Sequence, residues 1–417
     1  MNERQRRSPL PIVFLIVFLD LLGIGILIPI VPQLLANPGS PFYLLPAGWS
    51  VEQGYLLLGL LVAVFPVMQF VATPILGEIS DRFGRKPVLL FSLAGTCLSY
   101  VLFALGVVFR SLPLLFFARA LDGFTGGNIS VAQAAISDTT PPEQRAKSFG
   151  LIGAAFGLGF IMGPYLGGKL SDPEVSRWFD AATPFWFAAL LSFANIVFVT
   201  LRFSETLLNP QRERRINWRK SAQNINHAWA LAALRPLYIT NFLLVSGFSF
   251  FTTFFGVFLI DRFQFTQGDI GDFFSYMGLW IVFTQAVVVR RVSKKFGEPA
   301  VLRVSLIGSG ICLLLYHVPT VWWGLLFIAP FFAMFNGLTQ ANLIGLISRS
   351  ASPRIQGEIL GINASVQALA QASPPLIAGF VASAISPEAP LYISSALIVL
   401  AGLFFIVYFE PVEQPVS

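Results

Sequence analysis

The chain has 417 residues, of which 55% are hydrophobic and only 12% are charged, and its mean hydropathy is +0.72. So few charges cannot cover the surface of a soluble protein of this size, and we expect an integral membrane protein. The net charge of +6 does not indicate nucleic-acid binding, because no polar domain carries clustered Lys and Arg. Cys97 and Cys312 each lie inside an apolar run, which argues against a disulfide framework or a cysteine-bound metal.

Twelve apolar stretches are long enough to cross a bilayer, for which a helix needs about 20 residues. Charged or Pro/Gly-rich breaks separate them and place their ends to within about 2–4 residues. The predicted spans are 10–36, 53–77, 87–109, 113–138, 146–169, 183–202, 235–260, 270–290, 299–316, 319–348, 357–382 and 388–409. We therefore expect an all-α protein of twelve transmembrane helices.

The basic residues separate the two sides of this membrane protein. The N-terminus, alternate loops and the segment 203–234 hold most of the Lys and Arg, whereas the other side has only Arg110, Lys169, Arg177 and Arg262. Because cytoplasmic loops carry the excess of positive charge, we predict that both termini are cytoplasmic.

Asp20 is an acidic residue within the first span, about ten residues from its cytoplasmic end. A rise of 1.5 Å per residue places it roughly 13–15 Å deep, close to the midplane. A carboxylate there needs a proton, a basic partner or a water-filled cavity, and each of these suits a proton carrier. The alternative is a carboxylate that only hydrogen-bonds a neighbouring helix end.

The segment 77–86, Gly-Glu-Ile-Ser-Asp-Arg-Phe-Gly-Arg-Lys, is a tight charged turn between the second and third spans. A weaker copy at 290–297 lies 213 positions later, as judged by the pair Phe83-Gly84 against Phe296-Gly297. Four proline and glycine positions also recur at an offset of 211. They are Pro142, Gly150, Pro164 and Gly168, which correspond to Pro353, Gly361, Pro375 and Gly379. Two parallel halves of six spans imply a transporter with its site between them at the midplane.

Arg119 and Asp122 lie in the fourth span, about 10 and 15 Å below the outer surface, at a depth similar to that of Asp20. Their spacing puts them on one helix face, where they could simply neutralise each other. Alternatively, Asp20 and Asp122 share Arg119 as their one base. A proton or substrate that binds one carboxylate then frees the other carboxylate from its interaction with Arg119. When all three are ionised, the site is negative, which favours cationic or zwitterionic substrates.

The fifth span carries Gly159, Gly163 and Gly167 at every fourth position, and Pro164 adds a bend. Their aligned bare faces let another helix approach closely. This pattern fits general small-residue packing, which predicts that Gly163 tolerates bulk poorly.

The segment 203–234 is the one long polar stretch and divides the spans six and six. We predict an N-terminal six-helix bundle at 1–202, a cytoplasmic linker at 203–234 and a C-terminal six-helix bundle at 235–417. Basic residues beside Trp218 and Trp229 indicate either a helix on anionic lipid or ordinary positive-inside charge.

The second half has almost no buried charge and offers amides among many Phe residues, which suits a pocket for a lipophilic ring system. Phe is also ordinary lipid-facing filler. Our candidates for substrate binding are Gln69, Phe248, Phe251, Asn336, Gln340 and Gln367.

Four motifs give the chain a family resemblance. They are Leu22-Gly23-x5-Pro29-x2-Pro32, Gly77-x3-Asp81-Arg82-x-Gly84-Arg85-Lys86, Leu115-x3-Arg119-x3-Gly123 and Gly159-x3-Gly163-Pro164-x2-Gly167-Gly168. Together they resemble the major facilitator superfamily, specifically its twelve-span drug/proton antiporters, with the bacterial tetracycline exporters nearest. The chain departs from the family at Asp122, where Gln or a small residue is common, and at Lys294, which stands opposite Asp81 in the repeat.

The resemblance implies roles for these residues. Gly77, Asp81, Arg82, Gly84, Arg85 and Lys86 would form a gating loop, with Asp81 at the start of the eleventh span near Gly357 and Arg85 reaching Asp138. Gly159, Gly163, Pro164, Gly167 and Gly168 would form a hinge at the domain interface. The alternative for the loop 77–86 is a membrane-surface loop whose positive charges only fix the orientation of the protein in the membrane.

We therefore predict a secondary transporter of the inner (plasma) membrane that exports a lipophilic, drug-like small molecule in exchange for protons by alternating access. A metabolite or sugar exporter is the alternative within the superfamily, and a sensor or scaffold the alternative outside it. The sequence has no Gly-x4-Gly-Lys-Ser/Thr phosphate loop, and we expect no enzyme activity, cofactor or metal. The expected partners are substrate, protons and lipid, with a monomeric protein and no nucleic acid.

Overall fold

The computed structural model describes residues 10–140, 145–207, 210, 217, 220–350 and 356–410. Within these ranges the regular secondary structure is entirely helical, which confirms the predicted fold class. The repeat residues Pro142 and Pro353 lie outside the described residues.

The first part of the chain forms seven helices. They are α1 Leu10–Leu35, α2 Val51–Phe83, α3 Arg85–Val108, α4 Leu112–Thr125, α5 Asn128–Thr139, α6 Arg145–Leu170 and α7 Thr183–Arg202. The described part of the predicted linker contains α8 Lys220–Ala230. The remaining helices are α9 Arg235–Phe263, α10 Gln267–Phe283, α11 Val289–Phe296, α12 Glu298–Leu315, α13 Gly324–Arg349, α14 Gln356–Ala384 and α15 Ala389–Tyr408, with a π-helical segment at Thr284–Val288 between α10 and α11.

Nine helical segments of the described part are long and apolar enough to cross a membrane. Proline occupies the first turn of α4, α7, α9, α12 and α15, where its missing N–H costs no helical hydrogen bond. The predicted spans 146–169 and 357–382 correspond to α6 and α14, of 26 and 29 residues.

The fourth predicted span, 113–138, is not one continuous helix but α4 and α5, separated at Gly126 and Gly127. Both glycines lie against α2, because a Cβ at Gly127 would approach the Thr73 Cα at 2.9 Å and one at Gly126 the Phe65 ring at 3.2 Å. Gln69 of α2 donates from Nε2 to the Gly126 carbonyl at 2.9 Å. Close approach of two backbones therefore accompanies the break.

The described chain divides into two compact units. The first comprises Met1–Ile30 and Val64–Ser221, and the second Val31–Ala63 and Ala222–Ser417. In the first unit α3 packs on α4 and α7, and in the second α9 packs on α14 and α15. The end of α1 and the start of α2, residues 31–63, group with the second unit, and the predicted domain bounds stay a prediction.

Contacts within the second unit explain this grouping. Gln33 of α1 donates to the Phe265 carbonyl at 3.1 Å. Gly59 of α2 and Gly379 of α14 lie so close that a Cβ on Gly59 would sit 2.9 Å from the Gly379 Cα. Side chains larger than hydrogen are excluded at this crossing.

The two copies of the charged turn share a backbone conformation. Gly84 has φ 102° and ψ 159°, and Gly297 has φ 78° and ψ 152°. Each precedes the first residue of a helix, α3 or α12. A positive φ at matching positions supports the internal repeat found in the sequence.

Candidate transport site

The charged residues of the first unit lie among its helices. Arg119 and Asp122 are each 5% exposed, and Arg119 Nη1 contacts Asp122 Oδ2 at 3.0 Å. The guanidinium also lies over the Phe65 ring, 4.6 Å from its centroid. The predicted pairing on one helix face is therefore present, and the pair is shielded by an aromatic ring.

Asp20 is another buried carboxylate of this unit, 8% exposed on α1. Its Oδ2 is buried and has no hydrogen-bond partner among the described residues. The fully buried amide of Asn128, at the start of α5, is a polar neighbour. Asp20 is thus a carboxyl group held in a mainly apolar environment without a cationic partner of its own, in the part of the chain that the structure covers.

Two small cavities adjoin these charges. One is lined by Asp20, Thr96, Tyr100 and Ser192 together with apolar side chains. The other is lined by Ser99, Tyr100, Arg119 and Asp122, again with apolar neighbours. Tyr100 of α3 is the residue that lines both.

The predicted gating loop forms a charge cluster at the junction of α2 and α3. Arg85 Nη1 contacts Asp81 Oδ1 at 2.6 Å, and Arg85 Nε contacts Asp138 Oδ2 at 2.9 Å. The contact between Arg85 and Asp138 that the resemblance implied is therefore present. The predicted contact of Asp81 with the eleventh span stays a prediction.

Glu205, just beyond α7, completes this cluster and was not predicted. Its carboxylate accepts from the backbone N–H of Arg85 at 2.8 Å and of Lys86 at 3.0 Å. It therefore caps the N-terminus of α3, where the helix dipole favours negative charge. A Cβ at Gly84 would meet this carboxylate at 2.5 Å, so Gly84 is needed for space as well as for its positive φ.

Other residues of the loop have separate contacts. Lys86 Nζ donates to the Thr200 carbonyl at 2.9 Å, and the Arg82 guanidinium lies 5.2 Å from the Phe83 ring centroid. Gly77 lies beside Ser130 of α5, at an ordinary contact distance. Glu78 is buried and accepts from the Asn217 backbone N–H at 2.6 Å, which attaches the described part of the linker to α2.

The glycines of α6 face α1. A Cβ at Gly163 would lie 2.7 Å from the Gly25 Cα, one at Gly159 would lie 2.7 Å from the Leu21 Cβ, and one at Gly167 would lie 2.5 Å from the Ile26 carbonyl oxygen. We call this contact of α1 and α6 the glycine seam. Pro164 also lies against α1, because a Cβ on Gly25 would be 2.9 Å from its Cδ atom. Gly168 is buried next to the seam.

The candidate substrate residues lie on α2, α9, α13 and α14. Phe251 is fully buried in an aromatic cluster with Phe255, Phe332 and Tyr316 at centroid distances of 4.6, 5.1 and 6.4 Å. Phe248 is partly buried, at 5.8 Å from Phe251.

The amide candidates lie on α2, α13 and α14. Asn336 is 5% exposed on α13, and Gln340 and Gln367 are half-buried. Gln69 is engaged by the Gly126 carbonyl. Asn241 and Asn363, two further amides of the second half, form a buried hydrogen bond of 2.7 Å.

A bundle of membrane-spanning helices that buries an ion pair and a further carboxylate defines a class, that of polytopic membrane transporters. The model for the Major Facilitator Superfamily matches residues 13–373 and 270–417. The chain belongs to the major facilitator superfamily.

Relatives agree with this assignment. The class H tetracycline resistance protein of Pasteurella multocida is 32% identical over 377 residues, covering 89% of this chain and 88% of that protein. Human major facilitator superfamily domain-containing protein 10 is 28% identical over 418 residues, covering 91% of this chain and 88% of that protein. The family and these relatives are transporters, so the prediction of a non-enzymatic protein is confirmed.

Solved structures share the fold. The human organic anion transporter MFSD10 (TETRAN) has a TM-score of 0.72 at 25% identity, covering 97% of this chain and all of that chain. A D-xylose-proton symporter has a TM-score of 0.75 at 15% identity, covering 97% and 99%. The resemblance to this superfamily and to tetracycline exporters is confirmed.

Proposed function

We propose that this chain is a secondary active antiporter that exports a lipophilic small molecule in exchange for protons across the inner (plasma) membrane, with both termini in the cytoplasm. The observation that carries the proposal is Asp20, a buried carboxyl group in the same helical unit as the Arg119–Asp122 pair. Ionisable residues inside a membrane bundle mark ion and substrate pathways.

Each part of the site has a task in this proposal. Asp20 and Asp122 carry protons, and Arg119 biases which carboxylate is ionised. The loop 77–86 with Asp138 controls which side of the protein is open. The glycine seam keeps α1 and α6 in contact while the protein changes between its inward-open and outward-open states. The protein works as a monomer with no cofactor.

Two relatives suggest different substrate classes. The tetracycline resistance proteins favour a lipophilic drug with several rings. The human neighbour is described as an organic anion transporter and covers 97% of this chain, and Arg119 offers a cation that an anionic group would bind. A drug-like exporter is our first choice and an organic anion exporter the second.

The test is transport by the purified protein in proteoliposomes with an imposed proton gradient. A panel of tetracyclines, lipophilic cations and organic anions is compared for the wild type and Asp20→Asn. Proton-driven accumulation of one class, lost in Asp20→Asn, is the expected result. If Asp20→Asn, correctly folded, accumulates substrate as the wild type does, the proton-coupled scheme is wrong.

A further inference from the structure

Tyr100 lies close to Asp20 and Asp122, the two acids of the proposed coupling set. It lies on α3 and is 4% exposed. Its side chain lines the cavity that contains Asp20 and also the cavity that contains Arg119 and Asp122. A side chain that lines both cavities can contact a proton or a polar group in either one.

The hydroxyl end of this ring reaches α1. A Cβ placed on Gly23 would overlap the Tyr100 hydroxyl, so the missing side chain of Gly23 makes the space for it. Gly23 follows Asp20 by three residues, about one helical turn. The hydroxyl therefore lies near Asp20 along the helix, against bare backbone.

Tyr100 has both acids of the proposed coupling set among its electrostatic neighbours. Its titratable and charged surroundings are Asp20 on α1, Arg119 and Asp122 on α4, and Cys97 on its own helix. It faces both acids of the proposed coupling set and one base.

We propose that the Tyr100 hydroxyl relays protons between Asp20 and Asp122, an inference that rests on the proposed proton antiport. The hydroxyl oxygen accepts a proton from one protonated carboxyl group while its own proton passes to the other carboxylate. One O–H bond breaks as another forms at the tyrosine oxygen, so the residue ends neutral. The net change is that one aspartate loses the proton that the other gains.

The first test is Tyr100→Phe, which keeps the ring and removes the hydroxyl. General acid–base groups contribute typically about 100-fold or more, so proton-driven accumulation should fall by about this factor. Substrate exchange without a proton gradient should stay close to the wild-type rate. The matched control is Tyr165→Phe on α6, whose side chain is 45% exposed, and it should leave both rates unchanged.

Asp20→Asn, measured in parallel, separates the two proposals. If Asp20→Asn loses driven transport but Tyr100→Phe does not, the relay is wrong and the antiport stands. If Asp20→Asn keeps driven transport, the antiport itself is wrong and the relay with it. An equal loss of exchange and driven transport in Tyr100→Phe would make Tyr100 a packing or substrate residue and would also overturn the relay.

A second variant covers the case in which Tyr100→Phe does not fold. A fluorinated tyrosine at position 100 keeps the shape and the hydroxyl but gives up its proton more readily. For a relay, the pH profile of driven transport should shift relative to the wild type while exchange stays constant. An unchanged profile would overturn the proposal.

Discussion

At the scale of single residues, the Arg119–Asp122 pair and Asp20 have different environments. The pair satisfies its own charges within one turn of α4 and lies against Phe65. Asp20 has the Asn128 amide as a polar neighbour and no cationic partner among the described residues. In a low-dielectric interior this asymmetry makes Asp20 the acid whose charge is hardest to keep.

The pair itself allows a stability prediction. Removing one partner of a buried ion pair leaves an unpaired charge and costs about 3–5 kcal/mol, whereas replacing both with apolar residues can be close to neutral. We therefore expect Arg119→Met to lower the thermal unfolding temperature in detergent more than the double variant Arg119→Met/Asp122→Leu does. Equal or additive losses would contradict a coupled pair.

At the scale of helices, the glycine seam and the α4–α5 break both depend on backbones that approach closely. Neither element follows from hydrophobic pattern alone. The every-fourth-residue spacing in α6 predicted a close contact, and the contact with α1 is present. The seam also joins two motifs, because a Cβ at Gly163 of the fifth-span motif would lie 2.7 Å from the carbonyl oxygen of Leu22 in the first-span motif.

Bulk in the seam should separate α1 from α6. We expect Gly163→Leu to destabilise the protein by about 1–3 kcal/mol, the usual cost of overpacking, and to reduce transport. Thermal unfolding and transport rates in proteoliposomes measure both effects. The matched control is Gly361→Leu on α14, where an added Cβ meets nothing within 4 Å. If the two variants behave alike, close contact is not what Gly163 provides.

Helix positions were largely predictable from sequence, because long apolar runs end at charges and prolines. The first span was predicted at 10–36 and is Leu10–Leu35. The break at Gly126 was not, since a glycine within an apolar run is ordinarily tolerated. The break is explained by the α2 backbone, which lies against Gly126 and Gly127.

The candidate site was predictable where spacing along one helix decides the contact, as for Arg119 and Asp122. Motif resemblance supplied the pair Arg85 and Asp138. Tyr100 and Glu205 were missed, because their partners lie on other helices and their residue types are unremarkable in the sequence. Glu205 is 120 and 119 residues from Arg85 and Lys86 along the chain. Local sequence patterns do not predict a contact over that separation.

At the scale of the whole molecule, the charged turn between α2 and α3 gathers α2, α3, α5 and the chain after α7 around Arg85. Asp81, Asp138 and Glu205 all bond Arg85, through its side chain or its backbone. The second copy of the turn has the same glycine conformation at Gly297, but Lys294 stands where the first copy has Asp81. The two repeats thus share backbone geometry while their charges differ.

Asp81→Asn tests whether this cluster sets the balance of open states. Loss of a partly exposed ion pair is worth about 1 kcal/mol, which changes the ratio of two states about fivefold. Spin labels on the exposed positions Trp178 and Trp322 would report the ratio as a distance distribution. The ranking of substrates should not change, and Glu174→Gln, in an exposed loop, is the control. An altered ranking with an unchanged distance distribution would count against a gating role.

The break in the fourth span also bears on how the chain enters the bilayer during synthesis. α4 has 14 residues and α5 has 12, and each is shorter than the roughly 20 residues that a crossing helix needs. α4 also brings Arg119 and Asp122, and a charged residue at a helix centre costs about 2.5–3.5 kcal/mol on insertion scales. Because α3 packs against α4, we expect the translocon to release 112–139 as a single segment, and only once α3 is already in place to receive it.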